Sequence, residues 1–360
     1  MFTSITVFQV TAGMPSSSAD IADLLEPHPF VPTQPTQDLS IGWVPPREEN
    51  GALVEAIAGA WIARISIETR SVPGSAIKDA VEKKAAEIEE QTGRKPGKKE
   101  RRDIKEDCLL ELLPHAFPKR SQVPVWFAPQ QGWLVLGTTS TGKIDEIVTQ
   151  LVRVLPDFCV TQINTQASPQ SQMAAWLQLK EAPGAFDFGH SCELKATDDS
   201  KATAKFASHH LLGDEVLSHL VMGKMPTKMS MSWDGRVEFM LDTSMHLTKL
   251  NFGLIEEATT DEKVDAFDAT VALETGELIK LINDMVEVLG GVLYPGQQPN
   301  DAEQDDAQGQ ADVSAVGAPG ANVASSATAS TPPPADRAAS GDPEDVEAQH
   351  ERGEAVGAPF

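Results

Sequence analysis

Seven residues, Gly137-Thr138-Thr139-Ser140-Thr141-Gly142-Lys143, have the spacing of a loop that cradles phosphates, and they stand between an apolar run and an amphipathic one. In such a loop backbone amides surround the phosphates, the lysine reaches the outer phosphates, and a following Ser or Thr hydroxyl holds magnesium. Ile144 takes that last place and offers no oxygen to a metal. No convincing second acidic strand follows in a parallel unit, so a Gly/Thr turn opening a helix is the plainer reading and nucleotide binding the alternative. His209, His210 and His219 lack a carboxylate or thiolate at matched spacing, which makes a metal site weak. Neither a Gly-x-Ser-x-Gly elbow nor a His-Glu-x-x-His helix is present. The expectation is a protein that is not an enzyme and uses no cofactor or metal.

What the chain does concentrate is positive charge. Between residues 94 and 105 seven cations, Arg94, Lys95, Lys98, Lys99, Arg101, Arg102 and Lys105, face only Glu100 and Asp103, in a protein of net charge -24. Such segregation marks a surface able to meet a polyanion, while a solvated helical hairpin kept soluble by mixed charge accounts for the same pattern. Lys119 and Arg120, beside the proline-flanked Phe117, extend the patch, and Lys205, Lys224 and Lys228 form a fainter set downstream. Lys and Arg contacts to phosphate need no base pattern and suit binding without sequence preference. Trp126, Phe127 and Trp133 lie in strand patterns and read as core rather than as stacking platforms for single strands.

The elements that position these residues follow from periodicity. Ile5 to Val10 reads as a strand, and Ser16-Ser17-Ser18 caps a helix through Leu25. Residues 42–46 must be extended, because each proline pushes its predecessor out of the helical region. Ala52 to Ala58 reads as a short helix. Trp61, Ala63, Ile65 and Ile67 alternate with Ile62, Arg64, Ser66 and Glu68, as in a strand with one buried face. Ile77, Val81, Ala85 and Ile88 form one helical stripe, and Ile104, Cys108 and Leu112 a second after the 93–97 break. Two antiparallel helices projecting as a hairpin result, ended by Pro114. Strands at 123–127 and 133–138 flank a turn, and a helix follows from Ile144. The second half gives a strand at 159–163, a helix at 173–179, an extended 201–206 and a helix at 214–222. Asp234-Gly235 joins strands 229–233 and 236–241, and 246–252 adds another. Residues 264–289 are helical, with a break at Thr275-Gly276 and a stop at Gly290-Gly291. Irregular interleaving of strands and helices argues for an α+β fold with mixed sheets.

Domains are expected at 1–75 with 121–165 (an N-terminal α+β part), 76–120 (the charged hairpin and the segment after it), 166–294 (a C-terminal α+β part) and 295–360. That last stretch is an acidic Ala/Pro/Gly-rich tail carrying 12 Asp and Glu against Arg337 and Arg352, a net of -10. It has too little apolar surface to offset ordering entropy and reads as disordered. The remaining part still carries -14, so a DNA contact must use a local basic lining. Cys108, Cys159 and Cys192 are too scattered for a disulfide framework, and no apolar run approaches the roughly 20 residues that span a bilayer. A soluble cytoplasmic protein without membrane contact is expected.

Four blocks carry a resemblance. Leu112-Leu113-Pro114-x-Ala116-Phe117, Ile41-Gly42-Trp43-Val44-Pro45-Pro46, Thr275-Gly276-Glu277-Leu278 and Leu289-Gly290-Gly291 together resemble the RdgC family of bacterial recombination-associated proteins, over about residues 1 to 293. The resemblance implies a ring-shaped homodimer, nucleoid-associated, that binds double-stranded DNA without sequence preference and restrains the RecA recombinase. Single-stranded DNA stays open as a second partner. It also implies that Phe117 is an exposed anchor closing the smaller of two dimer contacts, where the residues alone allow a core plug equally well. The family lacks a phosphate loop at 137–143. At His115 and Pro118 the chain departs from the family's common wording, in which the former place can be Arg, and a mostly neutral His weakens one phosphate contact.

Overall fold

The computed structural model describes residues 1–47, 51–253, 263–294 and 296–297. The tail expected at 295–360 lies outside them apart from Gly296 and Gln297.

Strand β1 (Ser4–Ala12) is the seam of the molecule. It pairs antiparallel with β6 (Trp133–Leu136) and β7 (Cys159–Gln162), and its first residues pair with β12 (Leu247–Phe252). On one side the order runs outward through β6, β5 (Pro118–Ala128), β4 (Ala60–Arg70) and β2 (Leu39–Val44), with β3 (Val54–Ile57) also paired to β4. On the other it runs through β12, β11 (Val237–Asp242), β10 (Lys224–Trp233), β8 (Phe186–Ala196) and β9 (Thr203–Phe206), twelve strands in all among the described residues. The pairings between named strands are antiparallel, not mixed as expected, because short turns and excursions return the chain beside itself; the sheet is open, with β2 and β9 at the ends of its path, and the fold is α+β.

Two cores follow from strand alternation. Phe8, Ala63, Ile65, Val125, Phe127, Leu134 and Leu136 pack under α1 (Ser18–Leu25) and α4 (Thr141–Val154), which contribute Ile21, Leu25, Ile147 and Leu151. Neighbouring positions on the opposite face, Val7, Ile62, Trp126 and Val135, join a larger core with α5 (Pro169–Leu179), α6 (Asp214–Val221) and α7 (Lys263–Val288). The strand expected to bury one face therefore buries both. Ile62 is covered by the second core, Ser66 is enclosed, and Glu68 is held by an ion pair.

Two further expectations are corrected. Residues 54–57 are a strand, not a helix: Val54 and Ile57 are buried, and the two-residue turn Ala58-Gly59, both at positive φ (50° and 86°), returns the chain into β4. Pairing with a buried neighbour outweighs the helix propensity of three alanines. Helix α7 runs through Thr275-Gly276 without a break, because Val271, Leu278, Leu281, Ile282 and Met285 continue one buried stripe. Glu274, buried in the same helix, pairs with the Met1 ammonium and accepts from the Phe2 amide at 2.7 Å. The helix stops where expected, at Gly290 with φ 82°. Asp234-Gly235 is a hairpin turn with both φ positive, 50° and 63°.

Candidate nucleic-acid interface

The basic hairpin is an excursion from the end of the β4–β5 ribbon, whose last pair is Arg70 with Pro118. Helix α2 (Gly74–Thr92) ends at Gly93 in the left-handed region, φ 71°, and α3 (Lys98–Leu112) returns to a 3-10 turn at Leu113–His115. Gly93 is placed where an L residue would be strained, which makes the tight reversal possible. The two helices pack on each other through Ala85, Ile104 and Cys108, which are buried but belong to neither main core. Lys84 ties the pair to Glu111 at 2.7 Å, and that hydrogen bond raises the lysine's pKa.

Charge on the hairpin is partly spent within it. Arg94 binds Glu100 at 2.9 Å, holding that carboxyl below its usual range, and Arg102 binds Glu106 at 3.1 Å. Lys95, Lys98, Lys99, Arg101 and Lys105 are exposed and have no ion pair among the described residues. Phe117, after the 3-10 turn, is 92 % exposed, and Leu110 on α3 is 62 % exposed. Phe117 is thus exposed within this chain and not a core plug.

Lys119 and Arg120 diverge. Neighbours in a strand point to opposite faces, and Arg120 faces Glu68 across the ribbon, bonding it at 2.8 Å and lying over the Phe30 ring at 4.6 Å. Glu68 also accepts from the Thr33 amide and hydroxyl, each at 2.8 Å. The Thr33 amide bond, with help from the Thr33 hydroxyl and Arg120, holds the Glu68 carboxyl below its ordinary pKa despite burial. Arg70 extends the network, donating to Thr33 Oγ1 at 2.9 Å and to the Ala116 carbonyl at 2.9 Å, and so fixes the backbone next to Phe117. Lys119 is exposed on the other face with no ion pair among the described residues. Sequence spacing could not show this network, because Thr33 and Glu68 are brought together only by the fold.

Two of the three downstream lysines have acidic neighbours. Lys205 pairs with Glu193 at 3.1 Å, and Lys228 stands in register between Glu193 and Asp242. These four side chains make a row across β9, β8, β10 and β11 that alternates in sign. Lys224 Nζ lies 2.9 Å from His219 Nδ1. His219 thus lies against an ammonium, and His209 meets Glu215 at 3.5 Å. Among the described residues no group of three or more His, Cys, Asp or Glu is arranged to hold a metal ion, and no helix is long and apolar enough to cross a membrane.

The 137–143 loop has different uses for its residues than a nucleotide cradle would. Strand β6 is antiparallel to both neighbours. The Gly137 amide donates to the Pro124 carbonyl at 2.9 Å, and a Cβ at Gly137 would stand 2.4 Å from the Pro124 ring. The Thr138 carbonyl accepts from Thr6 at 2.8 Å, and Ile144 is core. Close backbone packing explains the first glycine.

Fold and charge define an antiparallel α+β protein that presents cations and one bare aromatic on a helical excursion. A family model described as "Putative exonuclease, RdgC" matches residues 1–292. The chain is 36 % identical over 297 residues to the recombination-associated protein RdgC of Dechloromonas aromatica (strain RCB), covering 81 % of this chain and 97 % of that one. It is 34 % identical over 294 residues to the protein of the same name from Herminiimonas arsenicoxydans, covering 81 % and 98 %. The chain belongs to the RdgC family.

Proposed function

We propose that this protein is a non-enzymatic homodimer that closes around double-stranded DNA without reading its sequence, and that in doing so it restrains RecA-dependent recombination at the nucleoid. The observation that carries the reading is the placement of Lys95, Lys98, Lys99, Arg101 and Lys105, exposed and without ion pairs among the described residues, on the hairpin that leads to a bare Phe117. Five unpaired cations crowded on one element repel one another, a polyanion relieves that repulsion, and phosphate is a ligand the patch fits. Leu110 and Phe117 on the same excursion give a second copy an apolar point of contact, and a small contact of this kind can open while a larger interface stays shut. Family membership supports the recombination role.

Gel shifts with two duplexes of unrelated sequence, each over a salt series, test the DNA-binding reading. If each of the five unpaired hairpin cations of both protomers meets one phosphate, log affinity falls with log salt with a slope of about -9, alike for both duplexes. A flat slope, or binding confined to one sequence, overturns it. The family description favours a second reading, an exonuclease. Incubation of end-labelled duplex with magnesium or manganese separates the two: the binder leaves the label intact, and processive loss of nucleotides establishes the nuclease.

A further inference from the structure

Lys119 is not isolated on its face of the ribbon. It shares an open cleft of about 520 Å3 with Lys143, two cations from separate elements, with Ser121, Ser140, Gly142 and the end of β4 at Arg70 on the walls. Lys119 and Lys143 have no ion pair or hydrogen bond among the described residues, although Lys143 is half-buried. Arg70 turns its guanidinium away to Thr33 and the Ala116 carbonyl, in the Glu68 network, and so leaves the two ammonium groups as the cleft's cations. An ammonium held half-buried without a counterion raises local potential toward whatever anion enters.

The floor of the cleft adds donors. Helix α4, fourteen residues long, begins there without a side-chain cap bond and without an acidic residue in its first turn. The amides of Thr141, Gly142 and Lys143 thus have no acceptor in the preceding turn of helix. A Cβ placed at Gly142 would meet nothing within 4 Å, so the approach is open. Asp38 and Glu146 also line the cleft. Lys119 and Lys143 against these two carboxylates leave no excess positive charge, so a phosphodiester with its single negative charge suits the cleft better than a phosphate monoester dianion.

We propose that this cleft seats one internal phosphodiester of the DNA backbone, with Lys119 and Lys143 as its charged contacts and the start of α4 as its amide donor. The proposal rests on the DNA-binding reading and carries the strand's path from the hairpin across the β4–β5 ribbon to α4. It also gives Gly142-Lys143 a phosphate-binding use that needs neither magnesium nor a nucleotide.

The test compares Lys143→Ala, Lys143→Arg and Arg153→Ala in the full-length protein. Arg153 is exposed in the last turn of the same helix, so its loss changes net charge equally away from the cleft. Lys143→Ala removes one contact from each protomer and should reduce the salt slope by about 1.8, so that between 50 and 200 mM salt wild type loses about 12-fold more affinity than the variant. Lys143→Arg should restore the slope, and Arg153→Ala should leave it at the wild-type value. The loss should be the same on a closed circular duplex, which has only internal phosphates, as on linear duplex with 5′-hydroxyl or 5′-phosphate ends. Loss confined to 5′-phosphorylated ends makes a terminal monoester the ligand and overturns the proposal. An unchanged slope for Lys143→Ala beside a steep wild-type slope, or equal losses for Lys143→Ala and Arg153→Ala, overturns the cleft alone. A wild type that does not bind DNA removes the functional reading and the cleft with it.

Discussion

Arg120 and Lys119 show why adjacent cations need not share a task. Arg120 compensates a buried carboxylate, with Glu68 only 3 % exposed, whereas Lys119 compensates nothing inside the chain. Arg120→Ala should lower unfolding stability by about 1–2 kcal/mol, since Glu68 keeps its Thr33 bonds but loses its charged partner. Lys119→Ala should leave stability within about 0.5 kcal/mol and reduce the salt slope of DNA binding by about 1.8, one contact from each protomer. Urea unfolding of both variants beside the binding series checks the division, which fails if Arg120→Ala proves the neutral one for stability. The same network predicts a pH dependence. Glu68 has a folded pKa below its ordinary 4.5, so it binds protons less readily folded than unfolded. Its contribution is therefore complete above about pH 4.5 and is lost as pH falls through the lower folded value. Glu68→Gln should be less stable than wild type at pH 7, and the gap should close as pH falls below 4. A gap that widens on acidification would reverse the assigned sign.

At the scale of elements, the hairpin was legible because its helices carry their own stripes and punctuation. Ala85, Ile104 and Cys108 recur at helical spacing, and Gly93 marks the reversal. The Asp234-Gly235 hairpin was legible for the same local reason. What failed depended on distant partners. Strand β3 is held by β4 rather than by its own composition, and α7 passes Thr275-Gly276 because the cores on either side are continuous. Strand β8 gave no signal: Asp187, Gly189 and His190 interrupt its alternation, and the register shifts on β10 absorb the irregularity. The cation cleft was half legible, since Lys119 and Lys143 stood out singly but only tertiary structure joins them. Because the hairpin's buried residues belong to neither main core, it should open more easily than the sheet. Amide hydrogen exchange should be faster across residues 74–112 than across β4 and β5, and DNA should slow it there first. Equal protection of hairpin and ribbon would mean that the excursion is not an independent unit.

For the whole molecule, charge distribution sets the next expectation. Residues 295–360 carry -10 of the total -24, a charge that competes with phosphate for the basic lining. Removing them should leave dimerisation intact and DNA affinity unchanged or tighter, by gel shift at 50 mM salt, and a marked loss of affinity would place the segment in the site. The measurement closest to the central claim follows dissociation from closed circular and linear duplex of equal length, for wild type and Phe117→Ala. Phe117 is 92 % exposed, so the substitution should not destabilise the monomer, and it should leave the salt slope unchanged. A protein that closes around DNA should persist on circles and leave linear molecules by their ends, and Phe117→Ala should abolish that difference while still dimerising. Equal dissociation of wild type from circles and lines at low salt would contradict encirclement.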